Sequence, residues 1–186
     1  MLYKGAVADY PSWIYYPSRN PPPAWVAPFL SAVWSAQDLI DSRRVADLTS
    51  NKVLASLQQG LGRLGYTVET SSAKEMVIRR PVLFGEQGAE RVAYHVDAVH
   101  DGEGVVVEIE AGRGARGNAV YRDLVRSSLI VNARYPALGV MLTYRHKSGG
   151  KQVVVRSYAE TRDLLDAIYA SGRLQLPFDG VLLFGY

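Results

Sequence analysis

The residues of this sequence best suited to do chemistry are three carboxylates, one before and two after a predicted turn. The segment HVDAVHDGEGVVVEIEAG places Asp97 before the turn and Glu108 and Glu110 after it. Because side chains alternate along a strand, Glu108 and Glu110 project from the same face. Residues 105–107 are three consecutive valines, a run typical of a strand buried on both faces. The sequence therefore predicts acidic side chains at the end of a buried strand.

The register of this hairpin decides whether Asp97 joins the two glutamates. If Gly102 and Glu103 form a type II′ turn, Asp97 lies opposite Glu108; if Asp101 and Gly102 form a type I′ turn, it lies diagonal to Glu108 on the same face. A three-residue loop would send Asp97 to the other face. Converging like charges destabilise a sheet and call for a compensating cation, and oxygen ligands favour Mg²⁺ (or Mn²⁺). The alternative is a half-solvated strand whose outer face is simply acidic.

Charge is unevenly distributed along the 186 residues. Residues 69–110 carry nine acidic and four basic side chains, whereas residues 111–162 carry two acidic and ten basic ones. An acidic block joined to a basic one predicts a polyanion-binding surface, although solvated faces that segregate by chance would look the same. Arginine suits bidentate contacts with phosphate and with guanine edges. The basic side chains that we expect to bind nucleic acid are Arg113, Arg116, Arg122, Arg126 and Lys147.

Apolar periodicity predicts the elements that position these residues. Helices are expected at 29–44, 51–64, 118–132 and 159–170, and strands at 66–69, 76–78, 91–99, 105–110, 137–144, 152–156 and 180–184. Ser50 is the expected N-cap of the second helix, and Gly65 is its expected end. Residues 145–151, with the sequence RHKSGGK, are expected to form a basic turn.

The order of these elements is α-β-β-β-α-β around the carboxylates, followed by an appended β-α-β. This order predicts a mixed α/β domain, with a mixed central β-sheet flanked by helices. On the third helix, Val120, Leu124 and Leu129 are expected to face the core.

Composition excludes several classes of protein. The chain has no cysteine, which excludes disulfides, thiolate zinc sites and cysteine nucleophiles. No apolar run approaches the roughly 18 residues of a membrane span, and the first residues lack the apolar region of a secretory signal. We therefore expect a soluble cytoplasmic protein that does not enter a membrane. Residues 9–28 are rich in proline and aromatic side chains, which predicts an extended arm that packs on the body of the protein or on a partner subunit.

The carboxylate pattern also resembles that of a known family. Asp97, separated by ten residues from Glu108, Ile109 and Glu110, resembles the D…ExK signature of the restriction-endonuclease-like (PD-(D/E)XK) nuclease superfamily. Glu110 stands where the family usually has lysine, a variant that occurs in the BamHI and BglII branch. Val96 replaces the usual proline.

The preceding helix also departs from the family pattern. Residues 50–65 lack the acidic residue that many members carry there, and Asn51, Gln58 and Gln59 are the possible substitutes.

The resemblance implies a fold, an activity and roles for these residues. It implies a single nuclease-like domain over 1–186, with an N-terminal arm (1–28), a leading helix (29–48), a catalytic core (50–145) of restriction-endonuclease-like order and a C-terminal extension (146–186). Asp97 and Glu108 would bind Mg²⁺ or Mn²⁺, and Glu110 would orient or deprotonate the attacking water.

The expected activity is that of a Mg²⁺-dependent endodeoxyribonuclease of the type II restriction kind, acting on DNA as a homodimer whose interface the aromatic arm could serve. The alternatives are a DNA-repair or junction-resolving nuclease, and a non-catalytic DNA-binding protein on a degenerate nuclease scaffold.

Overall fold

A six-stranded mixed sheet organises the protein. The computed structural model describes residues 10–69, 77–112 and 118–186. Its strands are β1 (Ser12–Tyr16), β2 (Thr67–Val68), β3 (Ile78–Phe84), β4 (Glu90–Val96), β5 (Ala98–His100), β6 (Val105–Glu110), β7 (Tyr135–Val140), β8 (Tyr144–Ser148), β9 (Lys151–Val155) and β10 (Val181–Gly185). The strand order of the sheet is β1-β10-β7-β6-β5-β2. β6, β7 and β10 run parallel to one another, and the other neighbours pair antiparallel.

Helices cover both faces of this sheet. They are α1 (Val26–Ser35), α2 (Gln37–Ile40), α3 (Ser50–Arg63), α4 (Ala119–Leu129) and α5 (Ser157–Ser171), and a single 3₁₀ turn spans Glu86–Gly88. The buried sides of α1 and α3 pack against one face of the sheet, and those of α4 and α5 pack against the other. The predicted mixed α/β class, with a mixed central sheet between helices, is confirmed.

Two β-ribbons lie outside the central sheet, and both differ from the prediction. The expected strand 91–99 bends at Asp97, so that β4 pairs with β3 in one ribbon while β5 joins the main sheet. β3 is longer than the expected strand and passes through Pro81, where the register shifts. A proline is tolerated there because a two-stranded ribbon has a free edge. The expected turn at 145–151 is instead the hairpin of β8 and β9, closed by Gly149 and Gly150.

Helix ends also differ in detail from the prediction. The leading helix is broken at Ala36 into α1 and α2. The N-cap of α3 is Thr49 rather than Ser50, because the Thr49 hydroxyl accepts a hydrogen bond from the amide of Lys52 at 3.3 Å. Gly65 ends α3 with a φ of +88°, which confirms its expected role as the stop signal.

The aromatic arm packs on the body of its own chain. β1 pairs antiparallel with β10 at the edge of the sheet. Tyr10, Tyr15, Tyr16 and Trp25 are buried, whereas Trp13 is half exposed. The buried aromatic residues of the arm therefore belong to the core of the subunit.

No helix among the residues that the structure describes is long and apolar enough to cross a membrane.

The close packing of the sheet around β7 yields a stability prediction. A Cβ added at Gly139 would lie 2.5 Å from Phe184 Cζ and 2.7 Å from Ile109 Cδ1, both on neighbouring strands. Gly139→Ala should therefore lower the free energy of unfolding by about 1–3 kcal/mol, measured by urea denaturation. Gly62→Ala is the control, because nothing lies within 4 Å of its added Cβ on α3. It should be neutral or stabilising by up to about 1 kcal/mol. Equal stability of the two variants would contradict the packing described.

Candidate functional site

The β5–β6 hairpin has the register that places Asp97 opposite Glu108. Ala98 pairs with Val107 and Val99 with Val106, and one further step along this ladder brings Asp97 to Glu108. Neither of the two-residue turns considered from the sequence is formed, however. The loop has four residues, 101–104, and the positive φ of +70° belongs to Gly104. The alternative type I′ register is also excluded by these pairs.

Alternation along β6 directs its carboxylates toward α4. Val105, Val107 and Ile109 belong to the core cluster under α1 and α3. Val106 packs on the opposite side with Ile130, which follows α4. Glu108 and Glu110 have the same parity as Val106, so they face the α4 side, where Arg122 Nη2 lies 3.6 Å from Glu110 Oε2. The structure thus brings the three predicted carboxylates to one face at the end of β6.

Asp97 occupies the bend between β4 and β5 and is tied to β6. Its Oδ2 accepts a hydrogen bond of 2.6 Å from the amide of Ile109. Burial raises the pKa of Asp97 to about 6, and the nearby charges of Glu69, Asp123 and Glu110 contribute in the same direction. The hydrogen bond from Ile109 opposes this shift, because it favours the ionised form.

Glu108 is the most perturbed carboxyl of the site. It is only 9% exposed. Burial, together with the charges of Asp97 and Asp123, raises its pKa to about 9, although Arg126 and Arg122 oppose the shift. Without a further cation, this carboxyl is protonated at neutral pH. Strongly perturbed groups of this kind are concentrated at functional sites.

Glu110 is more accessible than Glu108 and has its own cationic neighbour. Burial and the charge of Asp123 raise the pKa of Glu110, and Arg122 lowers it. The backbone around Glu110 is fixed from two directions. Tyr186 donates its hydroxyl to the Glu110 carbonyl at 3.1 Å, and Ser50 at the start of α3 donates to the Ile109 carbonyl at 2.7 Å.

Sequence reasoning missed two further acidic residues of this site. Asp123 is buried on α4, and Arg122 Nε donates to its Oδ1 at 2.9 Å. Its position between the core residues Val120 and Leu124 was an available signal, because a carboxylate within the apolar stripe of a helix requires a partner. Glu69 follows β2, and its amide donates to the Asp97 carbonyl at 2.8 Å. No pattern in the sequence distinguished Glu69 from the other glutamates of the chain.

The predicted nucleic-acid-binding residues have different surroundings. Arg113 and Arg116 lie outside the described residues. Arg122 contacts Glu110 and Asp123, as given above. Arg126 donates to the carbonyl of His95 at 3.0 Å and stacks over the ring of Tyr94. Lys147 is exposed on the β8–β9 ribbon.

The donors of the site suit a hard cation, since they are carboxylate oxygens. Within residues 10–69, 77–112 and 118–186, no group of three or more carboxylate or imidazole side chains is arranged to hold a metal ion. Mg²⁺ is commonly bound by one or two carboxylates together with water and substrate oxygens, so a magnesium site does not require three protein ligands. Among the described residues, no hydrogen bond joins Asn51, Gln58 or Gln59 of α3 to Asp97 or Glu108. Ser50, at the start of α3, donates a hydrogen bond to β6 instead.

Comparisons of the chain with protein-family models, with curated proteins and with solved structures found no match. The function is therefore inferred from the fold and from this site alone.

The raised pKa of Glu108 predicts how stability changes with pH when divalent metal is removed. A carboxyl whose folded pKa exceeds its unfolded value of about 4.3 stabilises the protein below that value and loses this contribution as the pH rises. The free energy of unfolding should therefore fall between about pH 5 and pH 9, by at most about 1.4 kcal/mol per pH unit for one group. Glu108→Gln should flatten this slope, as measured by urea denaturation in chelator.

The matched control is Glu86→Gln, which alters an exposed carboxyl between β3 and β4. It should keep the wild-type slope. An unchanged slope in Glu108→Gln would show that the buried carboxyl does not titrate as described.

Proposed function

We propose that this protein is a metal-dependent endonuclease that hydrolyses phosphodiester bonds of DNA, in the manner of restriction-type enzymes. The observation that carries the proposal is the pairing of buried Glu108 with half-buried Asp97, with Glu110 on the same face. Burying like charges together is costly, and the raised pKa of Glu108 to about 9 reflects that cost. A divalent cation would remove it.

The proposed chemistry assigns a role to each carboxylate. Asp97 and Glu108 would hold Mg²⁺ or Mn²⁺. A cation bound there would lower the pKa of a coordinated water molecule and offset the negative charge of the phosphate. Glu110 would orient the attacking water and accept its proton. The raised pKa of Glu110 makes it a better base than an ordinary carboxylate, because the pKa of a general base should approach the working pH.

The topology around the site supports the same proposal. α3 is followed by β2, β5 and β6, which form an antiparallel meander, and α4 then leads to β7, which is parallel to β6. This is the α-β-β-β-α-β order that the resemblance implies. The β3–β4 ribbon is an insertion between the first and second strands of that order.

Exposed lysines on the β8–β9 ribbon would contact the substrate backbone in this proposal. Glu110 pairs with Val140, so β6 and β7 end at the same edge of the sheet. The β8–β9 ribbon begins four residues after Val140 and carries the exposed Lys147 and Lys151. Cations near a metal site can hold the DNA phosphates while the scissile bond lies at the carboxylates.

A non-catalytic DNA-binding protein is the second candidate. It is favoured by the ion contact between Arg122 and Glu110, which neutralises part of the acidic face without metal, and by the lack of a three-ligand group among the described residues. The two candidates differ in cleavage and agree in DNA binding.

The proposed catalysis predicts the effect of two conservative substitutions. Asp97→Asn and Glu108→Gln should each lower Mg²⁺-dependent nicking of supercoiled plasmid by more than the roughly 10–100-fold that loss of an outer-sphere partner costs. Glu86→Gln should cleave as the wild type does. A wild-type protein that binds plasmid but does not nick it with Mg²⁺ or Mn²⁺ would favour the second candidate. Full activity in either site variant would contradict the assignment of the site.

The proposed DNA contact of the ribbon predicts a change in salt dependence. Lys147→Ala should weaken binding to duplexes of any sequence and reduce the slope of log affinity against log salt by about 1. Arg173→Ala removes an exposed cation beyond the far end of α5 and should leave the slope unchanged. Fluorescence anisotropy at several salt concentrations measures both. A slope that stays the same in Lys147→Ala would exclude this lysine from the contact.

A further inference from the structure

α4 carries two arginines, Arg122 and Arg126, and both act on the carboxylates of the site. Burial raises the pKa of Glu108, and the charges of Arg126 and Arg122 oppose that rise. Arg122 likewise opposes the rise that burial causes in the pKa of Glu110. The two arginines are four residues apart, so they lie on one side of the helix. α4 therefore supplies the acidic face with cations from the chain itself.

Arg126 is held by groups that a metal ion at the site would not engage. Its Nη2 donates to the backbone carbonyl of His95 at 3.0 Å. Its guanidinium also lies over the ring of Tyr94, at 5.1 Å from the ring centroid. Neither partner is a carboxylate, so Arg126 keeps both contacts when a cation binds beside Glu108.

Arg122 is held instead by two carboxylates, and the two contacts differ in strength. Its Nε donates to Asp123 Oδ1 at 2.9 Å, the normal length of a charge-assisted hydrogen bond. Its Nη2 lies 3.6 Å from Glu110 Oε2, which is an ion contact too long to be a hydrogen bond. The Arg122 side chain is 56% exposed. The contact with Glu110 is therefore the weaker one, and Arg122 can give it up while Asp123 still holds Nε.

A divalent cation at Asp97 and Glu108 would repel the guanidinium of Arg122. Glu110 projects from the same face as Glu108, two residues further along β6. Because the metal ion carries two charges, its repulsion of a guanidinium is about twice that between two unit charges at the same distance. An exposed ion contact contributes little against such repulsion. Metal binding and the contact of Arg122 with Glu110 therefore oppose each other.

We propose that Arg122 is a displaceable counter-ion of the acidic face: it neutralises Glu110 in the metal-free protein, and it leaves Glu110 for a phosphate of the substrate when a divalent cation binds. Asp123 keeps hold of Nε during this exchange, so the Nη groups turn from the carboxylate to the phosphate. Arginine suits this role because its planar group presents several donors that fit either kind of oxyanion. The inference rests on the proposed function, because it requires the cation site at Asp97 and Glu108.

The affinity for Mn²⁺, measured by calorimetric titration at pH 7, tests the exchange without DNA. Arg122→Gln should tighten Mn²⁺ binding about fivefold, because the metal ion no longer has to displace a cation. The gain is limited, since loss of Arg122 also favours the proton that competes for Glu108. An Arg122→Gln variant with the wild-type affinity would overturn the proposal.

Arg134→Gln is the matched control for this titration. The Arg134 side chain is also 56% exposed, and its Nε donates to an aspartate, Asp179, at 2.7 Å. Arg134 precedes the first residue of β7, whereas Glu110 pairs with Val140, the last residue of that strand. The control should therefore bind Mn²⁺ as the wild type does.

A double-mutant cycle with Glu110→Gln separates exchange from simple repulsion. If Arg122 only repels the metal ion from a fixed position, Arg122→Gln has the same effect on Mn²⁺ affinity whether or not Glu110 is charged. If metal binding breaks the contact between Arg122 and Glu110, the gain should fall from about fivefold to about twofold or less in the Glu110→Gln background.

The outcomes of the cycle distinguish this inference from the proposed function. Equal gains in the two backgrounds would overturn the exchange and leave the metal site standing. Absence of Mn²⁺ binding to the wild type would overturn the proposed function, and the exchange with it.

The release of Arg122 to the substrate is tested by DNA binding. Fluorescence anisotropy compares the wild type with Arg122→Gln on one duplex, in chelator and in Ca²⁺, which also takes carboxylate oxygen ligands. Electrophoresis confirms that the duplex stays intact. In Ca²⁺ the substitution should weaken binding about 10-fold, the cost of one charge-assisted phosphate contact, and in chelator by no more than about threefold. A loss of equal size in both conditions would overturn the proposal.

Discussion

The burial of like charges at the end of β6 is the constraint on which the rest of the site depends. The charges of three carboxyl groups, those of Asp97, Glu108 and Asp123, interact with one another, and the pKa of each group is raised. The protein offsets part of the cost with Arg122 and Arg126 on α4. The remainder leaves Glu108 protonated at neutral pH unless a further cation is bound. Burial of unpaired like charges is unfavourable for folding, and here it occurs at the end of a strand whose first five residues are buried.

The surrounding fold holds this unfavourable arrangement in place. The Asp97 carboxylate accepts from the amide of Ile109, so the bend that ends the β3–β4 ribbon is attached to β6. Ser50 and Tyr186 fix the carbonyls of Ile109 and Glu110 from α3 and from the residue after β10. The end of β6 is thus bonded to three different parts of the chain. α4 completes the arrangement with Arg122 and Arg126, whose charges lower the pKa of Glu108.

Much of the site could be predicted from the sequence, because it follows from alternation in a buried strand. The three valines at 105–107 identified the strand. Alternation of side chains along it then placed Asp97 on the face of the two glutamates, given the pairing of β5 with β6. The turn type could not be read, since Asp-Gly-Glu-Gly fits several loops. The pairing of β3 with β4 was not predicted. Pro81 interrupts the strand pattern of β3, and the bend after residue 96 is not visible in the apolar periodicity of 91–99. Asp123 was missed, and Leu129, which is 47% exposed, was wrongly expected in the core. Both errors have one reason: the side of α4 that is buried depends on tertiary packing, and a polar residue occupies its core stripe.

The central claim is that the carboxylates at the end of β6 form a cation site. Calorimetric titration of the metal-free protein with Mn²⁺ at pH 7, in two buffers of different ionisation enthalpy, tests it most directly. Because the pKa of Glu108 is about 9, binding requires this carboxyl to lose its proton. The account predicts saturable binding of Mn²⁺ with release of about one proton per ion, and loss of that release in Glu108→Gln. Absence of saturable binding, or identical titrations for the wild type and Glu108→Gln, would contradict it.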